Sequence, residues 1–260
     1  MPEFFELYQD SEDGDYLGTI SQMDAQVGRL RSILSARNLS HNTMLWYTSD
    51  NGPTSRTCGG VGAAAMGGRL CASLSTGGLR QCKASLFEGG IRVPGILEWP
   101  ARITANRRTQ IPVSTHDYLP TALELLGLRH PQPHFARDGI SLLPLIDGVM
   151  ERRPQPLGWS LDGQSAWMDN DWKMVWSPNC GFCPHWEPPW TLDNTRILPL
   201  LFHLADDPTE SVDLRREQPE VFARLQNQLR AFLASIEVSA ETESGCSPPC
   251  LRSLPTWGGL

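Results

Sequence analysis

Thr43-Met44-Leu45-Trp46-Tyr47-Thr48-Ser49-Asp50-Asn51-Gly52-Pro53 is the stretch on which the fold turns. Residues 43–48 are β-prone and mostly apolar, the texture of a short strand buried in a parallel sheet, and a polar turn ends them abruptly. Open α/β sheets collect ligands just past the carboxyl ends of their strands. Asp50 and Asn51, a carboxylate beside an amide oxygen, offer at that place the hard donors that Ca²⁺ or Mg²⁺ takes. Asp-Asn-Gly-Pro is also an excellent turn sequence in its own right. Both readings stand at this point.

Upstream, Leu17, Ile20, Met23, Val27, Leu30 and Leu34 recur at steps of three and four, which predicts a helix over about 16–37 with one apolar stripe. Ser11 to Asp15 supply capping side chains and negative charge near its start. Downstream, residues 54–79 are rich in Gly, Ser and Ala without periodicity and read as a long loop. Residues 92–100 read as a second short strand bracketed by prolines. Asp117-Tyr118-Leu119-Pro120-Thr121 opens a further helix that Gly127 stops. Past Gly148 tryptophans cluster, short strands are expected around 165–168, 172–177 and 199–204, and an amphipathic helix runs over about 219–236. The pattern predicts an α/β segment followed by a small α+β domain whose sheet packs on the last helix. No internal repeat is present.

The chain has 260 residues, 40% apolar and 20% charged, with 22 basic against 29 acidic side chains and a net charge of −7. That composition excludes a largely disordered chain. No Lys/Arg run exceeds two, which argues against nucleic-acid or anionic-membrane partners. No window approaches the roughly 20 apolar residues of a membrane span. The acidic N-terminus lacks the apolar stretch of a signal peptide. Seven cysteines, including the close pairs Cys180/Cys183 and Cys246/Cys250, and the Asn38-Leu39-Ser40 sequon point instead to an oxidising, secretory origin with some thiols paired.

Lys83 lies in Leu79-Arg80-Gln81-Cys82-Lys83-Ala84-Ser85-Leu86-Phe87-Glu88-Gly89-Gly90-Ile91-Arg92-Val93-Pro94. Taken alone it reads as a solvated loop lysine paired with Glu88, or as an ammonium aimed at an anion. Tyr47-Thr-Ser-Asp50-Asn51-Gly-Pro53 followed by this segment resembles the sulfatase family. Four further stretches follow the family in order: Met23–Leu30, Thr115–Thr121, Asp138–Leu145 and Leu200–Glu210. The resemblance covers most of residues 14–237. Within the family, residues 198–214 and the cysteine-bearing tail look most like the animal lysosomal group of arylsulfatase A and galactosamine-6-sulfatase.

The resemblance implies a partial alkaline-phosphatase-like α/β sulfatase fold with a small C-terminal α+β domain. Residues 1–148 would be the C-terminal part of the catalytic domain, 149–238 the small domain and 239–260 an irregular tail. It implies a sulfuric-ester hydrolase acting on a sulfated small molecule or glycan, lysosomal or secreted. Asp50 and Asn51 would be two ligands of the active-site Ca²⁺, and Lys83 would contact the sulfate oxygens. Glu88 and Arg92 would hold the loop.

The family's nucleophile, a cysteine or serine in Cys/Ser-x-Pro-x-Arg that becomes formylglycine, occurs nowhere in this sequence; Cys246-Ser-Pro-Pro-Cys250 has cysteine where arginine is needed. The family's upstream aspartate pair, lysine and histidines are absent as well. The expectation is therefore the downstream portion of a sulfatase, with a non-catalytic sulfatase-like protein that binds sulfated glycans or a partner, or an incomplete gene product, as the alternatives. Other constellations are weaker. Cys180-x-x-Cys183-Pro-His185 with Cys246 and Cys250 has a loose zinc spacing, but disulfides suit the compartment better. No βαβ unit supports a thioredoxin-like role for Cys180/Cys183. His116 beside Asp117 reads as structural, and the tryptophans read as packing rather than a sugar platform.

Overall fold

The computed structural model describes residues 2–11, 14–53, 76–104, 106–129, 138–176 and 199–243. Six of the seven cysteines, His185, Trp186, Trp190, most of the 54–79 loop and the tail beyond 243 lie outside the described residues, and with them the zinc and disulfide readings. The chain divides into two compact units, Met1–Tyr47 with Gly95–Arg108, and Thr48–Pro94 with Thr109–Leu260.

In the first unit, α1 (Pro2–Glu6) and α2 (Gly14–Ala36) pack where Gly18 is buried; a Cβ there would stand 2.8 Å from the Phe5 ring. Strand β1 (Leu45–Thr48) pairs with β2 (Gly95–Glu98) in a two-stranded sheet. Arg31 of α2 makes two hydrogen bonds to the Glu98 carboxylate, at 2.8 and 2.9 Å, and the Trp99 indole donates to Asn42 at 3.1 Å. The helix is where its periodicity predicts, one turn's fraction earlier. Its stripe is not buried, however: Ile20, Met23 and Leu30 are about two-fifths exposed, at 39%, 45% and 43%. Strand β1 is only half-buried along its length. Periodicity tells which residues share a face and says nothing of what covers it.

The second unit is built on a four-stranded antiparallel meander: β3 (Leu157–Leu161), β4 (Gln164–Asp169), β5 (Trp172–Trp176) and β6 (Leu200–His203), in that order. Three of these strands fall where the sequence predicts. β3 was not anticipated, although Asp162-Gly163 between Leu161 and Gln164 is the strongest short hairpin signal, and both residues take the positive φ it requires, 46° and 78°. Strand alternation sorts the sheet's two faces. On one, Met174 and Leu201 are buried against Leu225, Leu229 and Leu233 of the last helix, α6 (Pro219–Glu243), with Trp167 and Phe232 at the margin. On the other, Ala166, Val175 and Phe202 are buried against Leu86 and Phe87.

Between them in sequence, α3 (Glu88–Ile91), α4 (Tyr118–Leu125) and α5 (Leu143–Ile146) are short. Asp117 starts α4 and ties this region together. Its carboxylate accepts both guanidinium nitrogens of Arg153 (2.7 and 2.8 Å), the Ser114 amide (2.8 Å) and the Ile140 amide (2.8 Å). Thr121, one turn on, donates to the Asp117 carbonyl and accepts from the Leu142 amide. The start of α4, the Ile140–Leu142 segment and Arg153 are thus held together by buried polar contacts of Asp117 and Thr121, and His116 is exposed beside them.

Candidate functional site

Asp50 and Asn51 follow the end of β1 in a tight polar turn. The Asp50 carboxylate accepts the Asn51 amide at 3.0 Å and the Ser49 hydroxyl at 3.3 Å. The Asn51 side-chain amide donates to the Gly52 carbonyl at 2.8 Å, which leaves Oδ1 as its acceptor. Asp50 is exposed and Asn51 half-buried. So the turn reading holds, with an exposed carboxylate beside a half-buried amide.

Lys83 sits on a second turn fastened directly to the first. The Lys83 amide donates to the Pro53 carbonyl at 3.0 Å, and the Gly52 amide donates to the Gly90 carbonyl at 2.7 Å. Backbone meets backbone here because glycine lets it. A Cβ on Gly52 would lie 1.9 Å from the Gly89 oxygen, one on Gly89 2.1 Å from the Gln81 oxygen, and one on Gly90 2.0 Å from the Ser85 oxygen. Gln81 and Ala84, on either side of Cys82-Lys83, take φ values of 65° and 69°. Side chains rarely accept that conformation, and such strain collects at functional sites. Cys82 is buried while Lys83 is exposed. The structure therefore brings the turns of all three sequence-predicted residues together.

Beneath the Lys83 turn lies a buried ionic cluster that the sequence did not disclose. Lys173 of β5 sits 2.7 Å from Glu88 and 2.9 Å from Glu210. The Glu88 amide donates to the other Glu210 oxygen at 2.6 Å, and Arg80 donates to the Glu210 carbonyl at 2.8 Å with its guanidinium 4.0 Å above the Phe87 ring. Burial pushes the Glu210 carboxyl above the usual range; the Lys173 ammonium pulls it back and the Glu88 charge pushes it further up. Burial likewise lowers Arg80. Glu88 thus pairs with Lys173 and, at 3.5 Å, with Arg92, rather than with Lys83. Gln164 of β4 donates to the Ala84 carbonyl at 2.9 Å. Gln164, Lys173 and Glu210 lie 80 or more residues from the loop residues they hold, so no local pattern could have revealed these contacts.

Asp50 and Asn51 suit Ca²⁺ in donor type, since both offer oxygen, but they supply at most three of the roughly six to eight oxygens such an ion gathers. Among the described residues no group of three or more His, Cys, Asp or Glu side chains is placed to hold a metal. Nor, among them, is any helix long and apolar enough to cross a membrane.

Residues 2–128 match the family model described as Sulfatase. The chain is 29% identical over 246 residues to steryl-sulfatase of Rattus norvegicus, covering 86% of this chain and 41% of that protein. It is 32% identical over 230 residues to N-acetylgalactosamine-6-sulfatase of Canis lupus familiaris, covering 83% and 42%. A solved Bacteroides thetaiotaomicron structure, from work on the metabolism of multiple glycosaminoglycans, superposes with a TM-score of 0.65 at 25% identity, over 83% of this chain and 44% of that one. This chain belongs to the sulfatase family, a family of sulfuric-ester hydrolases, and its fold is a partial α/β fold of the alkaline-phosphatase-like sulfatase type. It spans about two-fifths of the length of these relatives.

Proposed function

We propose that this chain forms the sulfate-facing part of a sulfuric-ester hydrolase, with Asp50 and Asn51 as two Ca²⁺ ligands and Lys83 as the cation that meets the sulfate oxygens. The observation that supports this most is the pair of backbone hydrogen bonds, Lys83 to Pro53 and Gly52 to Gly90, which fastens the two turns side by side. A sulfate monoester develops negative charge on the oxygens around sulfur and on the leaving oxygen as the bond breaks. Fixed positive charge there is worth more in the transition state than in the ground state. Lys83 supplies an exposed ammonium on a backbone that its own amide anchors. Asp50 and Asn51 would hold Ca²⁺, which as a bound cation would polarise an ester oxygen.

The reading divides the chain into a catalytic-domain part over residues 1–148, a small domain over 149–238 and a tail over 239–260. It places the protein in a lysosomal or secreted compartment, with a sulfated small molecule or glycan as substrate. Because no Cys/Ser-x-Pro-x-Arg motif occurs in the sequence, the polypeptide of residues 1–260 is expected to bind sulfate without turning over an ester.

Two measurements test this. Inorganic sulfate titrated into the 260-residue protein should shift the Lys83 amide resonance, and Lys83→Ala should abolish the saturable response; equal binding by Lys83→Ala overturns the reading. p-Nitrocatechol sulfate should not be hydrolysed. Turnover that Lys83→Ala removes would show a nucleophile outside the family's motif.

A further inference from the structure

Gln164 and Lys173 stand out because they are polar side chains on an otherwise apolar sheet face. They project to the same side as Ala166, Val175 and Phe202, the face that packs on Leu86 and Phe87. Gln164 is 2% exposed and Lys173 0%. Burying an ammonium between two carboxylates costs desolvation that the Coulomb attraction at best repays, and apolar side chains of the same volume would stabilise the face at least as well. Stability therefore does not explain Lys173.

Their contacts offer another explanation. Gln164 holds the carbonyl of Ala84, the residue after Lys83, in a left-handed conformation that a side chain resists. Lys173 holds Glu88, at the start of α3, and presses it against Glu210, whose carboxylate takes the Glu88 amide. The far end of the same segment is closed by the Gly90 carbonyl on Gly52 and the Gly89 amide on the Arg80 carbonyl. Beyond bonds internal to the segment, the contacts that fix Lys83 downstream of its own amide thus lead to this face through Ala84 and Glu88 and to the Asp50 turn through Gly90.

We infer that Gln164 and Lys173 are positioning residues for Lys83: the sheet sets the reach of the Lys83 ammonium through the Ala84 carbonyl and through the Glu88–Lys173–Glu210 cluster. The inference rests on the reading of Lys83 as the sulfate contact, and its consequence is that sulfate affinity depends on two side chains that never touch the anion.

The test uses the same inorganic sulfate titration together with amide hydrogen exchange on the 260-residue protein. Gln164→Glu keeps the shape and removes the donor; it should weaken sulfate binding about fivefold and raise exchange at the Lys83 and Ser85 amides by a similar factor. Exchange in α6 should stay unchanged. Lys173→Met should do the same and Lys173→Arg should restore affinity, a rescue that mere packing would not produce. If Lys173→Met does not fold, the triple variant with Glu88→Gln and Glu210→Gln removes the stranded charges and is read instead. Unchanged affinity and unchanged exchange at Lys83 in folded Gln164→Glu and Lys173→Met overturn the inference. If Lys83→Ala binds sulfate as the parent does, the functional reading fails, and loop exchange alone decides whether the tether exists.

Discussion

The Gly52 amide donates to the Gly90 carbonyl at 2.7 Å, so the turn that carries Asp50 and the segment that carries Lys83 share one backbone hydrogen bond with no side chain between them. A Cβ on Gly52 has no room, since the nearest obstacle is the Gly89 carbonyl oxygen, a backbone atom that cannot swing aside. Gly52→Ala should therefore cost about 3 kcal/mol or more, the upper range for overpacking a tight site. Gly28 in α2 is the control, because a Cβ there meets nothing within 4 Å. Gly28→Ala should stabilise by about 0.5–1 kcal/mol through helix propensity. Urea unfolding of the two variants checks both; a Gly52→Ala protein as stable as its parent would show that the two turns are not in contact.

Asp117 and Arg153 form a fully buried two-bond ion pair, with side chains 0% and 1% exposed. Removing one partner strands the other charge away from water. Asp117→Ala is expected to cost about 3–5 kcal/mol, while His116→Ala, at an exposed neighbouring position, should change stability by less than about 0.5 kcal/mol. Thermal melts of the two single variants decide this, and equal effects would contradict the partnership.

What the sequence disclosed and what it hid divide by sequence distance. The strand-turn at 45–53, the two long helices and strands β4 to β6 each rest on a period or a turn signal a few residues long, and all are present. Asp50, Asn51 and Lys83 are proposed as site residues because the stretches around them resemble a family in order, and the turns that carry them are joined by backbone hydrogen bonds. Strand β3 carries glycine at 158, where a Cβ would strike the Phe232 ring of α6, and that break in its apolar pattern masked it. The pairing of Glu88 was misassigned by proximity, since its partners Lys173 and Glu210 lie 85 and 122 residues on. The exposed stripe of α2 shows the converse limit, a correct helix whose burial depended on neighbours no local pattern names.

Two carboxylates should give the protein opposite pH slopes. Burial tends to raise Asp207, but the Val212 amide, the Thr209 and Ser211 hydroxyls and the Ser211 amide outweigh it and hold the carboxyl below its ordinary range. Its stabilising contribution is present above the unfolded value, about 3.9, and is lost as pH falls through the lower folded value. Glu210 is raised by burial, so its contribution is full below about 4.3 and fades as pH rises through the folded value. Asp207→Asn should therefore cost on the order of 1 kcal/mol at neutral pH and approach zero in acid. The cost of Glu210→Gln should instead shrink as pH rises. Denaturant midpoints across about pH 3–7 for the two variants and the parent test the signs; parallel slopes would refute this assignment of the two environments.

Calcium affinity gives the last prediction. Asp50 and Asn51 bring at most three side-chain oxygens and one formal negative charge, and the described residues add no cluster of acidic side chains to them. An ion that prefers roughly six to eight oxygens must then keep water in most of its positions, and stripping the rest of its hydration shell is poorly repaid. The 260-residue protein should bind Ca²⁺ with a Kd on the order of millimolar, the range of the weakest extracellular modules. Asp50→Ala should abolish even that, because the carboxylate is the only charged donor of the pair. Isothermal titration of Ca²⁺ into the parent and into Asp50→Ala measures both. A micromolar site that disappears with Asp50 would mean that further carboxylates of this chain complete the cage around the 50–51 turn, and would refute the assignment of only two protein donors to the ion.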